Sequence, residues 1–193
     1  MGLIDMILLE QPKTVLYHGS SIGGLKIIRP HKSTHGISYV YATPYLGIVI
    51  TYLGKWNDFD LASGTIDDIP YVVERYRNAL KTIYSKPGYI YTVEPYGFKT
   101  DPENGINGFE LVNENPVKVI DCKRIANPYK AILDMPKEEL IVFLYPNRPK
   151  FIPKDDKDLI GKANYFYAQT KDPKVYDELY SKHPHLRTES AFV

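Results

Sequence analysis

The chain has 193 residues, 44% hydrophobic and 24% charged, which gives it enough apolar residues for a packed core and sets it apart from disordered or fibrous chains. Its 24 Lys and Arg against 23 Asp and Glu leave a net charge of +1, so there is no global electrostatic attraction to nucleic acid or to an anionic membrane. A single cysteine, Cys122, rules out an intramolecular disulfide and fits a reducing compartment.

Residues 1–10 lack a basic n-region, and Asp5 and Glu10 bracket their short apolar run, which makes a poor secretory signal. No stretch approaches the roughly 20 apolar residues of a bilayer span. The expected location is therefore cytoplasmic, without membrane attachment. Residues 3–9 are compatible with a short helix or a strand. Lys13 to His18 reads as the first strand, ending in His18-Gly19-Ser20, and Gly23-Gly24 leads into Leu25–Ile28, closed by Pro30. Residues 29–38 are polar and breaker-rich, hence a loop. Its His31 and His35 have helical spacing, but Pro30 and Gly36 argue against a helix and so against a metal pair.

Tyr39-Val40-Tyr41-Ala42 predicts a short strand. Thr43-Pro44 then looks like the N-cap and first position of a helix running through Leu53 to Gly54, apolar on most sides and therefore buried. Residues 55–66 read as a loop. Asp67-Asp68 reads as the entry to an amphipathic helix, Tyr71 to Tyr84, with Val72, Tyr76, Leu80 and Ile83 on one face. Further strands are expected at Tyr89–Pro95, Phe109–Val112 and Pro116–Ile125, separated by a loop at 96–108 and a turn at 113–115. Beyond Ala126 the pattern turns helical, at 137–145, 156–169 and 173–182, around a Pro-punctuated link at 146–153. Five or more strands with few intervening helices predict an α+β fold with a mixed or antiparallel sheet core. The expected organisation is a core domain, residues 1–125, and a helical C-terminal extension, residues 126–193.

Three stretches together carry a resemblance: Leu16-Tyr17-His18-Gly19-Ser20, Val40-Tyr41-Ala42, and Glu110 between Phe109 and Leu111. The chain resembles the ADP-ribosyltransferases of the His-Tyr-Glu type, which include diphtheria-toxin-like toxins and poly(ADP-ribose) polymerase catalytic domains. Tyr52, eleven residues after Tyr41, matches the family's second tyrosine on the following helix. The resemblance covers about residues 13–125 and implies a split, mixed or antiparallel sheet of the ADP-ribosyltransferase type. It implies NAD as substrate, cleavage at the nicotinamide–ribose bond and transfer of ADP-ribose to an acceptor, with no metal.

On this resemblance His18, Gly19, Ser20, Tyr41 and Tyr52 bind NAD and Glu110 is catalytic. Tyrosine faces suit the aromatic cation of nicotinamide, each contributing roughly 0.5–2 kcal/mol. The Gly19 backbone suits the carboxamide, because no side chain blocks approach. His18 suits a ribose hydroxyl. A carboxylate at Glu110 suits the oxocarbenium-like transition state.

Two departures from the family stand out: Val49 takes the place of the polymerases' carboxamide-binding serine, and Tyr41-Ala42-Thr43 that of the toxins' Ser-Thr-Ser. Tyr89 to Pro102, with Tyr91–Phe98 followed by Asp101-Pro102, also resembles the rifamycin ADP-ribosyltransferases, on which alignment Asp101 replaces Glu110. Glu110 is preferred because a strand holds a carboxylate more rigidly than a loop does. The alternative function is a non-catalytic NAD- or ADP-ribose-binding module, or a protein-interaction domain. The acceptor (protein, nucleic acid, small molecule or water) has no readable code, and an antitoxin or immunity partner would suit a toxin-like member.

Overall fold

Strand β1, Leu16–Ser20, lies at one edge of a four-stranded sheet ordered β1-β7-β9-β2, in a computed structural model that describes residues 15–32, 37–106 and 109–188. In this sheet β2 is Ile27–Ile28, β7 Gly88–Val93 and β9 Val117–Ile125, and all pairings are antiparallel. A second, three-stranded antiparallel sheet orders β3 (His31–Lys32), β4 (Ser38–Ala42) and β8 (Leu111–Asn113). Paired backbone bonds between Tyr17 and Thr43, 2.8 and 2.9 Å, join β1 to the end of β4. Leu16, Ile28, Val40, Ala42, Tyr91, Val93 and Val117 form the core cluster of these strands.

The predicted helix after β4 is present in a shorter form. Helix α1, Leu46–Val49, passes directly into a 3-10 turn, Ile50–Leu53, and both lie against β1. Thr43 does not cap this helix. The cap residue is Tyr45, whose N–H the Thr43 Oγ1 accepts at 3.1 Å, so threonine shapes the turn before it.

The third sheet orders β10 (Ile141–Phe143), β6 (Ile69–Glu74) and β5 (Leu61–Ile66), with β10 parallel to β6. It overturns two helices and a loop expected from the sequence. Residues 61–66 and 69–74 make a hairpin. Asp67 and Asp68, with φ of 50° and 62°, are the two positive-φ residues of a tight turn, not a helix entry. The run Tyr71-Val72-Val73, aromatic then β-branched, pairs on both sides, and Asn78 in the left-handed region (φ 65°) limits the helix to α2, Ala79–Ile83. Residues 137–145 are a turn followed by β10, because Ile141, Val142 and Phe143 find ladder partners in Tyr71, Val72 and Val73. Helix α3 is Pro128–Leu133, and the last two expected helices are present as α4, Asp158–Thr170, and α5, Lys174–Lys182.

The fold is thus mixed α+β with largely antiparallel sheets. Its contacts divide the chain differently from the expected 1–125 and 126–193. One unit is Met1–Gly54 with Lys86–Ala131; the other is Lys55–Ser85 with Ile132–Val193. The C-terminal region therefore completes a unit begun by the β5–β6 hairpin. No helix among the described residues is long and apolar enough to cross a membrane. The open reading of residues 3–9, the start of the first strand at Lys13, and His35 fall outside the described residues.

Two glycines in opposite surroundings should respond oppositely to alanine. At Gly88 a Cβ would lie 2.8 Å from the Leu53 Cβ, so Gly88→Ala should destabilise by about 1–3 kcal/mol. At Gly161, exposed on α4 with nothing within 4 Å of such a Cβ, alanine should stabilise by up to about 1 kcal/mol. Urea unfolding of the two variants checks both signs.

Candidate active site

The expected site residues converge within the unit built on β1, and a glycine brings them there. A Cβ on Gly19 would lie 2.6 Å from the Val49 carbonyl oxygen and 2.8 Å from the Tyr52 Cβ. Only glycine lets β1 approach the turn that carries Tyr52 this closely. The sequence reading kept Gly19 bare for a ligand; the structure uses its missing side chain first for packing.

Its backbone has a different neighbourhood. Ladder bonds alternate sides along an antiparallel strand. Tyr17 bonds to Thr43, so Leu16, His18 and Ser20 bond to β7, and the N–H and C=O of Gly19 point to the same side as those of Tyr17. Among the described residues no strand pairs with Gly19 there. A donor and an acceptor from one residue are thus presented together at an open edge.

His18 is buried, 7% exposed, and its Nδ1 lies 2.7 Å from the Tyr41 carbonyl oxygen. That oxygen only accepts, so Nδ1 carries the proton and Nε2 is left with its lone pair. Burial lowers the His18 pKa, and the bond to Tyr41 opposes that shift without cancelling it; nearby His31 adds to the lowering. The ring is therefore neutral near pH 7, a hydrogen-bonding group rather than a charge.

Tyr41 is half-buried on β4, with its ring edge-on to Tyr39 (centroids 6.0 Å apart) and 6.2 Å from that of His31. Tyr52 donates its hydroxyl proton to Glu110 Oε1. Burial, then the negative charge of Glu110 and the bond to it, raise the Tyr52 pKa well above 10, so the phenol stays protonated. Glu110 itself is half-buried and stands one residue before β8, just past the last ladder pair, Ala42 with Leu111. The expected strand position is thus corrected by a single residue: Glu110 is fixed by the Tyr52 hydroxyl and the adjoining ladder. Beside it, the rings of Tyr45 and Phe109 meet at 5.3 Å, an aromatic surface the sequence reading did not single out.

The rival carboxylate has another task. Asp101 Oδ2 accepts from the Tyr39 hydroxyl at 2.6 Å and from Asn104 Nδ2 at 2.9 Å, and its backbone closes the short turn Pro102–Asn104. The Tyr39 bond is the leading cause that lowers the Asp101 pKa and raises that of Tyr39 to about 12. Ser20 also has a local role, its Oγ accepting from Ile22 N–H at 3.1 Å. Val49 is fully buried and brings no polar side chain to the site.

Similarity to known proteins adds nothing to this geometry. No family model matches the chain, and neither the curated proteins nor the solved structures contain a match to it.

The neutral, buried His18 sets a pH dependence. Its folded pKa lies below 6.5, so on acidification the unfolded chain takes up this proton first, and stability rises with pH across that interval. The contribution should be complete above pH 6.5 and lost as the pH falls towards the folded value. Thermal melts between pH 8 and 5 should show it, with His18→Gln flattening that limb of the curve.

Proposed function

We propose that this chain is an ADP-ribosyltransferase of the His-Tyr-Glu type, using NAD as substrate. The observation that carries the proposal is the convergence of His18, Gly19, Tyr41, Tyr52 and Glu110 about one open strand edge, although they come from segments far apart in the chain. The order and spacing of these residues support the same reading.

In this mechanism the Gly19 N–H and C=O hold the carboxamide of nicotinamide, while the tyrosine rings flank its cationic ring. His18 Nε2 accepts from a ribose hydroxyl. The N-glycosidic bond breaks with its electron pair going to nicotinamide, which leaves neutral, and the ribose carries the positive charge. Glu110 holds the neighbouring ribose hydroxyl and stabilises that charge. To do so it exchanges the Tyr52 hydroxyl for the ribose hydroxyl or shares the carboxylate between them. The acceptor's nucleophilic atom then bonds to the anomeric carbon and releases its proton.

Two observations favour a second reading, a module that binds NAD or ADP-ribose without chemistry. The Glu110 carboxylate is already engaged by Tyr52, and Val49 supplies no hydroxyl to help orient the carboxamide.

Nicotinamide release from NAD by the purified protein separates these readings. Glu110→Gln should reduce release at least 100-fold, in the range about 10²–10³ typical of a lost charge-stabilising group. Asp101→Asn should stay within a few-fold of wild type, since Asp101 is committed to Tyr39 and Asn104. Equal release by Glu110→Gln and wild type refutes the assignment. Absence of release together with NAD-dependent thermal stabilisation means either a binding module or an enzyme that requires its acceptor.

A further inference from the structure

The unit containing β5, β6 and β10 carries a side-chain cluster that the proposed chemistry does not use. Asp156, His183 and His185 each offer a ligand atom, and the three atoms lie within 4.8 Å of one another. Asp156 precedes α4, His183 is the C-terminal cap of α5, and His185 lies in the 3-10 turn Pro184–Thr188. From these residues we infer a binding site for a divalent transition metal, zinc being the best match to two imidazoles and a carboxylate.

The first argument is the tautomer of His183. Its Nε2 lies 2.8 Å from the Phe59 carbonyl oxygen, which only accepts, so Nε2 carries the proton. The other ring nitrogen, Nδ1, is thereby turned towards Asp156 and lies 3.4 Å from its Oδ2, so the imidazole and the carboxylate aim one ligand atom each at the same point. The pattern of one imidazole nitrogen on a backbone carbonyl and the other turned inward is the usual support of a metal-bound histidine.

The second argument is distance. Ligands at about 2.0–2.1 Å around a tetrahedral ion stand about 3.3 Å apart. The separations found are 3.4 Å from Oδ2 to His183 Nδ1 and 3.7 Å from Oδ2 to His185 Nε2, so small side-chain movements close the site.

The third argument is support from outside the cluster. Arg148 Nη1 holds Asp156 Oδ1 at 2.7 Å, with Nη2 3.2 Å from Oδ2, while Arg75 Nη1 is 3.6 Å from Oδ1 and Arg75 is itself paired with Asp158. These contacts fix the orientation of the Asp156 carboxylate, as hydrogen-bonded partners of a metal-ligating carboxylate do. The His185 ring, 54% exposed, leaves the remaining position open to water, and its 3.3 Å contact with the Asp155 carbonyl is long enough to yield to a metal bond. Bound there, the ion ties the end of α5 to the start of α4 and, through His183, to Phe59 below β5.

The test uses the full chain, stripped with chelator, then titrated with zinc for thermal stability and with cobalt(II) for visible absorption. Zinc should raise the Tm by several degrees, and cobalt should show ligand-field bands of a four- or five-coordinate N/O site. His185→Gln, changed at a half-exposed ring, should melt like the metal-free wild type and lose at least tenfold in affinity for both metals. His31→Gln, at an exposed histidine in the other unit, should bind as wild type does. An unmoved wild-type Tm with no cobalt bands overturns the inference and leaves Asp156 and His183 as an ion pair. Equal binding by wild type and His185→Gln overturns it as well.

Discussion

The close approach of β1 to the turn after α1 is the constraint on which the candidate site depends. With no side chain at Gly19, the strand and the turn meet backbone to backbone, and Tyr52 is carried to within hydrogen-bonding reach of Glu110. The Tyr17–Thr43 bridge adds the second fixed relation, holding β4 beside β1 so that the Tyr41 carbonyl can orient His18. A wider spacing at residue 19 would carry the turn bearing Tyr52 away from β1. The demand for glycine here is therefore steric before it is chemical, and both roles fall to one residue.

The two carboxylates that compete for the catalytic part are distinguished by their partners rather than by their positions in the chain. Asp101 is enclosed in a local turn, with Tyr39 and Asn104 consuming one of its oxygens. Glu110 has a single described hydrogen bond, to a tyrosine hydroxyl that a ribose hydroxyl can replace in kind. A carboxylate poised beside a replaceable donor can serve a transient positive charge; one already built into a turn serves the turn.

Much of the sheet around the site was legible because alternation and Gly or Pro boundaries mark β1, β4, β7 and β9 directly. Tyr52 was related to Tyr41 through the eleven-residue interval of the family it resembles, and Glu110, expected within a strand, stands one residue before it. The other unit was misread for a physical reason. Val72, Tyr76, Leu80 and Ile83 have helical spacing, yet the aromatic and β-branched stretch at 71–73 is claimed by two neighbouring strands, and long-range pairing outweighs local period. Asp67-Asp68 has the length and polarity of a hairpin turn as well as of a helix start, and only the ladder partners on either side decide between them. The cluster of Asp156 with His183 and His185 had its one visible sign in the His-Pro-His spacing, because the carboxylate comes from another element.

The chain crosses between its two units at Gly54, again at Ser85 and a third time at Ala131, so neither unit is a continuous stretch. During synthesis the β5–β6 hairpin emerges about seventy residues before Ile141–Phe143, the strand that completes its sheet. At about 5–20 residues per second, that leaves the edge of β6 without its parallel neighbour for roughly 4–14 s. In that interval β7 and β9 emerge and can close on β1, so the unit bearing the candidate site has all its strands on hand before the other does. An order of assembly is thereby written into the threading, with the half that holds the proposed chemistry finished first.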